Sequence, residues 1–292
     1  MASGILSLVA FLAAASAVTG TAIPAATIHQ QIQQTYNFQP HLLQESAVQA
    51  KSALLDRFWK QAKSHREDYV PALREELADF TNPPFFLYDG SVLLLTMSDT
   101  SADRKIALAG MAHCDLRDVE PREYFFQVHR MATLGEDTTA AAFHILEDPK
   151  FQVTIPQHAL TLGQNYVLVY MLLPSDQRYW EQPAIHRLAK EQDETAQRSL
   201  VLLLWYAQTA AADQATAAFA QDATKPAASR TYVQDLLQNK NKHGAKGRTM
   251  ALFSSEETLR KKRRDRLKSV SDEALIDLDV YTELLIAKRK GN

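Results

Sequence analysis

Four times between residues 108 and 239 the chain runs through an Ala-rich apolar helix, an aspartate, a short break and a further helix. The breaks read MAHCD-LRDVEPRE around Asp115, FHILED-PKFQVTIPQ around Asp148, LAKEQD-ETAQRS around Asp193 and FAQD-ATKPAASR around Asp222. The aspartates lie 33, 45 and 29 residues apart, a loose period near the range of helical-pair repeats. Such a unit cannot bury its apolar face alone, so consecutive pairs must stack. The expected class is all-α, built of stacked antiparallel helix pairs.

Composition agrees with this. The chain has 292 residues, 46% of them apolar and 23% charged, enough to bury a large core. Only 9 Gly and 11 Pro interrupt long runs of good helix formers. A helix-rich domain is expected over 41–239, preceded by a loose Gln-, Thr- and Pro-rich lead-in at 23–40. Within it, Pro40 opens one long helix over 41–66, and Pro71 starts a short one ending near Phe80. Thr81-Asn82-Pro83-Pro84 is a break, after which residues 85–97 read as either helix or strand. Pro121 opens a helix to Leu134, Asp137 caps one over 138–147, and Pro156 opens one to Leu173. Further helices follow at 194–212, from Asp213 to Gln221, and from Pro226 to about Gln238.

The net charge of −2 conceals an asymmetry. Residues 225–292 hold 16 Lys+Arg against 9 Asp+Glu, whereas residues 1–224 hold 16 against 25. Residues 240–253 are expected as a flexible basic loop and residues 254–292 as a C-terminal helical pair. The densest charge lies at Arg260, Lys261, Lys262, Arg263 and Arg264, a candidate anion-binding run. Its expected partners are the acidic body of the same chain, or an anionic envelope polymer or lipid reached through residues 240–268. Nucleic acid is not expected of an exported chain.

Export is inferred from the N-terminus. No Asp, Glu, Lys or Arg precedes Glu45, and residues 5–18 form an apolar stretch of 14 residues. That fits a signal-peptide core and falls short of the roughly 20 residues that span a bilayer. Cleavage is expected after Ala17 or Ala22, giving a periplasmic or secreted protein. The alternative is a membrane tether, if the segment is retained. The single cysteine, Cys114, excludes an intramolecular disulfide.

The segment AADQATAAFAQDATKPAASRTYVQDLL at 211–237 resembles a HEAT-type repeat: small residues in a first helix, Asp at the turn, Pro entering the second helix, and Arg230 early in it. Arg198 after Asp193 and Arg122 after Asp115 repeat that relation, while the unit at Asp148 has Gln157 nearby instead. The resemblance covers about residues 103–239, roughly 45% of the chain. It implies an α-solenoid in which these Asp and Arg side chains hold successive units together, and it implies no enzymatic activity.

Local chemistry is sparse. His113, His129, His144 and His158 recur 16, 15 and 14 residues apart. They are the candidate metal ligands, but none lies at the i,i+4 spacing of a helical metal motif. Three of them have local explanations: His113 at a helix C-terminus, His129 at a core edge, and His144 pairing with Glu147 and Asp148. Neither a catalytic residue nor a cofactor is assigned. The expected function is a non-enzymatic exported scaffold for a protein or peptide partner. The alternatives are a metal-dependent hydrolase near His113, His129 and His144, and an envelope-anchoring module acting through the basic C-terminus.

Overall fold

The computed structural model describes residues 22–155 and 160–250. The expected signal segment, His158, the Arg260–Arg264 run and the C-terminal helical pair lie outside these residues. The described part is all-α, with 12 α-helices packed on one another and a single two-stranded hairpin.

The first helix, α1 (Ala25–Tyr36), replaces the loose lead-in expected at 23–40. Its cause is a buried face of Ile28, Ile32, Thr35 and Tyr36, spaced one helical turn apart beneath a Gln-rich exterior. A 3-10 turn at Pro40–Leu42 leads to α2 (Glu45–Ser64) and α3 (Arg66–Ala78), which meet at His65. Pro71 sits inside α3 rather than at its start. The undecided segment after the Pro-Pro break is helix α4 (Pro84–Met97), entered by Pro84 in its first turn. Nine of its residues are buried, so its sequence displays neither the 2-residue nor the 3.6-residue period.

Helix α5 (Ser101–Met111) packs back on α4. The approach is close at Gly110, where a Cβ would stand 2.6 Å from Ser91 Oγ and 2.9 Å from the Leu87 carbonyl oxygen. A side chain there would push two backbones apart. A 3-10 turn (Leu116–Asp118) precedes α6 (Pro121–Thr133), and α7 (Thr139–His144) ends in a further 3-10 turn, Ile145–Glu147.

The helix expected from Pro156 begins only at Gln164. Before it, β1 (Gln152–Ile155) pairs antiparallel with β2 (Leu160–Gly163), with Val153 opposite Leu162. QVTI and LTLG alternate with period two, and Val153 and Leu162 are buried while Gln152 and Thr161 face out. Helix α8 (Gln164–Leu172) is apolar on all sides and central, as expected of its YVLVYMLL stretch.

The remaining helices are α9 (Gln177–Lys190), α10 (Glu194–Ala207), α11 (Ala210–Gln221) and α12 (Ala227–Met250). The break between α10 and α11 falls at Gln208, which adopts a left-handed φ of 57°, and Thr209 rather than Asp213 caps α11. Helix α12 runs through residues 240–250, in place of the expected flexible loop. Lys, Arg, Ala and Met favour helix there, and each of Gly244 and Gly247 costs it about 1 kcal/mol.

All four marker aspartates stand at breaks between elements. Asp115 caps the 3-10 turn after α5, and Asp193 caps α10 by accepting from the Ala196 amide at 2.8 Å. Asp148 and Asp222 turn the chain by accepting from the Lys150 and Thr224 amides. The helices pack mainly on their next and next-but-one neighbours in the chain. One continuous core runs from Ile28 to Val233, with Trp180, Trp205, Tyr124 and Phe86 among its fully buried side chains.

Polar ties join successive pairs. Gln164 donates to the Ile145 and Asp148 carbonyl oxygens at 2.9 and 2.8 Å and accepts from Ser199 Oγ, linking α8, α10 and the turn after α7. These ties are not the Asp–Arg pairs that the repeat resemblance implies. Arg117 holds Asp115, Arg198 pairs with Glu194, and Arg230 donates to the Lys225 carbonyl oxygen.

Candidate functional site

Helix α4 and the turn between α5 and α6 meet the N-terminal segment in a region rich in carboxylates and aromatic rings. At its inner edge, Tyr36 Oη and Trp59 Nε1 both donate to Asp89 Oδ2, at 2.5 and 2.7 Å. One carboxylate thus joins α1, α2 and α4. Burial raises the Asp89 carboxyl above its ordinary value, the two donors oppose that rise, and the nearby Glu123 adds to it. A carboxyl with a raised folded value supports the fold fully at acid pH and loses that contribution as pH rises through the folded value. Asp89→Asn keeps an acceptor for both donors and removes the buried charge. It is expected to hold or raise stability at pH 7 and to flatten the loss between acid and neutral pH. Asp89→Leu strands two donors and is expected to lose about 2–4 kcal/mol. Urea titration of both variants across that pH range checks the pair.

Next to this tie, Tyr88 is buried beside Tyr124, and burial pushes its hydroxyl well up. Cys114 is buried too. Desolvation, reinforced by Asp115, pushes its thiol far above the ordinary value, so the thiolate needed of a nucleophile is disfavoured.

The outer edge is the turn itself. Arg117 grips Asp115 with two nitrogens, Nε at 2.9 Å from Oδ1 and Nη2 at 2.6 Å from Oδ2. That grip, aided by the Arg117 amide and by His41, lowers the Asp115 carboxyl. Asp118 Oδ1 accepts from His41 twice, from the backbone amide at 2.8 Å and from Nδ1 at 2.7 Å. The N-terminal 3-10 turn is thereby fastened to the α5–α6 turn. His41, Asp115 and Asp118 each present one ligand atom, all within 4.8 Å of one another. Leu42, 69% exposed, follows His41 directly, and Phe80, 45% exposed, stacks on His113 at 3.9 Å.

The histidines singled out by spacing are placed separately. His113 stacks on Phe80 and has Nδ1 2.8 Å from the Ala109 carbonyl oxygen. His129 is buried and stacked on Phe125. His144 has Nε2 2.7 Å from the Cys114 carbonyl oxygen and Nδ1 3.1 Å from Glu147. Among the described residues, the group of three or more ligands that meets is His41 with Asp115 and Asp118, not these histidines. Sequence reading passes over His41 and Asp118 because 77 residues separate them and no motif spans that distance. Comparison with known proteins supplies no relative: no family model, no curated protein and no solved structure matches the chain.

Proposed function

We propose that the chain is an exported, non-enzymatic α-helical scaffold of HEAT-like solenoid type that binds a protein or peptide partner in the cell envelope. The observation that carries the reading is the surface at the α5–α6 turn. Two exposed apolar groups adjoin it: Leu42 follows His41, which is bonded to Asp118, and His113, stacked on Phe80, precedes the charged residues Asp115, Arg117 and Glu120 in the chain. Apolar anchors rimmed by charge are the usual composition of an interaction surface. Packing of helices on near neighbours in the chain supports the solenoid reading, because in repeat proteins each unit contacts chiefly its neighbours. The apolar N-terminal stretch supports export.

A photo-crosslinking residue at position 42 or 80 of the full chain is expected to capture one and the same polypeptide in the envelope fraction. Positions 134 and 179, also large exposed apolar side chains, serve as controls. Equal capture at the control positions, or none at 42 and 80, sinks the reading. Intact-mass analysis of the recovered chain tests export separately: the expected N-terminus lies just after Ala17 or Ala22, and retention of Met1 in a soluble fraction overturns it.

A further inference from the structure

We propose that His41, Asp115 and Asp118 form a divalent transition-metal site, with zinc the favoured ion, which clasps the N-terminal segment onto the turn between α5 and α6. Two observations lead there independently. The three ligand atoms lie within 4.8 Å of one another, although His41 is 77 residues from Asp118 in the chain. The second concerns Asp118 alone. Its side chain is 0% exposed, one oxygen serves His41, and the other, Oδ2, is buried without a hydrogen-bond partner. A buried carboxylate oxygen left unpaired is costly, and a bound cation is one of the few things that satisfies it.

The donor set selects the ion. One imidazole nitrogen and two carboxylate oxygens suit zinc, which takes mixed N/O ligands and tolerates three protein ligands with a fourth position open. Magnesium and calcium prefer sites made wholly of oxygen donors. Asp115 is the weaker ligand, because Arg117 already holds both its oxygens and sets a positive charge beside the ion. Arg117 therefore opposes metal entry, and its removal strengthens the site. This gives the proposal an electrostatic signature that a general affinity of surface histidines for zinc lacks.

The test is calorimetric titration of the EDTA-treated full chain with zinc chloride, with magnesium chloride as control and circular dichroism to confirm folding. One zinc per chain is expected, with a rise in Tm in zinc and no response to magnesium. His41→Ala and Asp118→Asn are expected to weaken binding by on the order of tenfold or more, and Arg117→Gln to tighten it. His41 lies on a partly exposed 3-10 turn, so its variant reports even where Asp118→Asn unfolds. Absence of zinc binding by folded wild-type chain overturns the site. So does binding of undiminished strength in His41→Ala, which locates the ion elsewhere.

Discussion

Replacing Asp103 with alanine is expected to destabilise the protein by about 3 kcal/mol, within the range for breaking a buried ion pair. The carboxylate is 0% exposed and accepts from Arg74 Nε at 2.6 Å, Arg74 Nη2 at 3.1 Å, Ser98 Oγ at 2.6 Å and Thr100 Oγ1 at 2.5 Å. It thus fastens α3 to the start of α5, whose N-cap is Thr100. Removing it strands three donor side chains together. Arg74 is 40% exposed and partly recovers water, which keeps the loss toward the lower end of the range.

The same residue gives a pH signature. Arg74, then the Ser98 and Thr100 hydroxyls, hold the Asp103 carboxyl well below the usual carboxylate range, outweighing the opposing effect of burial. Its folded value is depressed, so its contribution is complete above the unfolded value of about 4 and fades as pH falls through the folded one. Wild type should lose this stability on acidification, and Asp103→Ala should lose correspondingly less. Urea unfolding at pH 7 and again below pH 4 measures both effects. Equal acid sensitivity in the two proteins removes Asp103 from the account of acid stability.

Truncating Tyr124 is expected to cost the fold more still. Tyr124 on α6 is fully buried, packs edge-on against Phe151 beside the hairpin, and lies against Tyr88 of α4. Its hydroxyl donates toward the Met111 and Ala141 carbonyl oxygens, at 3.1 and 2.8 Å, and so touches the end of α5 and the middle of α7 as well. Tyr124→Ala removes the ring and leaves a cavity, a loss of about 3–5 kcal/mol. Tyr124→Phe keeps the ring and removes only the hydroxyl, leaving a buried carbonyl oxygen short of a partner, at about 1–2 kcal/mol. Thermal or urea unfolding of the two variants separates ring from hydroxyl. A Phe variant as damaged as the Ala variant places the whole contribution in the hydrogen bond instead.

Much of the fold is legible along the chain because helices are local. The proline that opens α6, the aspartate at the start of α10 and the apolar stripe of α10 all act within one or two turns. For the same reason the four marker aspartates can be placed at breaks from their neighbours alone. Sequence and structure part where a local signal is weak or shared. Strand β2 reads as the start of a helix because Pro156 is a good helix opener, β1 reads as part of a break, and four-residue strands carry little pattern. Helix α1 reads as a loose lead-in because its Gln-rich exterior outweighs three apolar residues on its buried face.

Residue order alone thus determined the helical class, the positions of most breaks, and an acidic body followed by a basic tail, since propensity, capping and charge are properties of short segments. Only tertiary structure decided which polar groups meet. His41 and Asp118 are 77 residues apart, Tyr36 and Asp89 are 53 apart, and Arg74 and Asp103 are 29 apart. Each of these contacts exists because helix packing closes a loop whose ends carry no sign of each other. The spacing of His113, His129 and His144 looks regular in the chain. In the fold each is engaged by its own neighbours, while the ligands that do converge come from a 3-10 turn before α2 and another after α5.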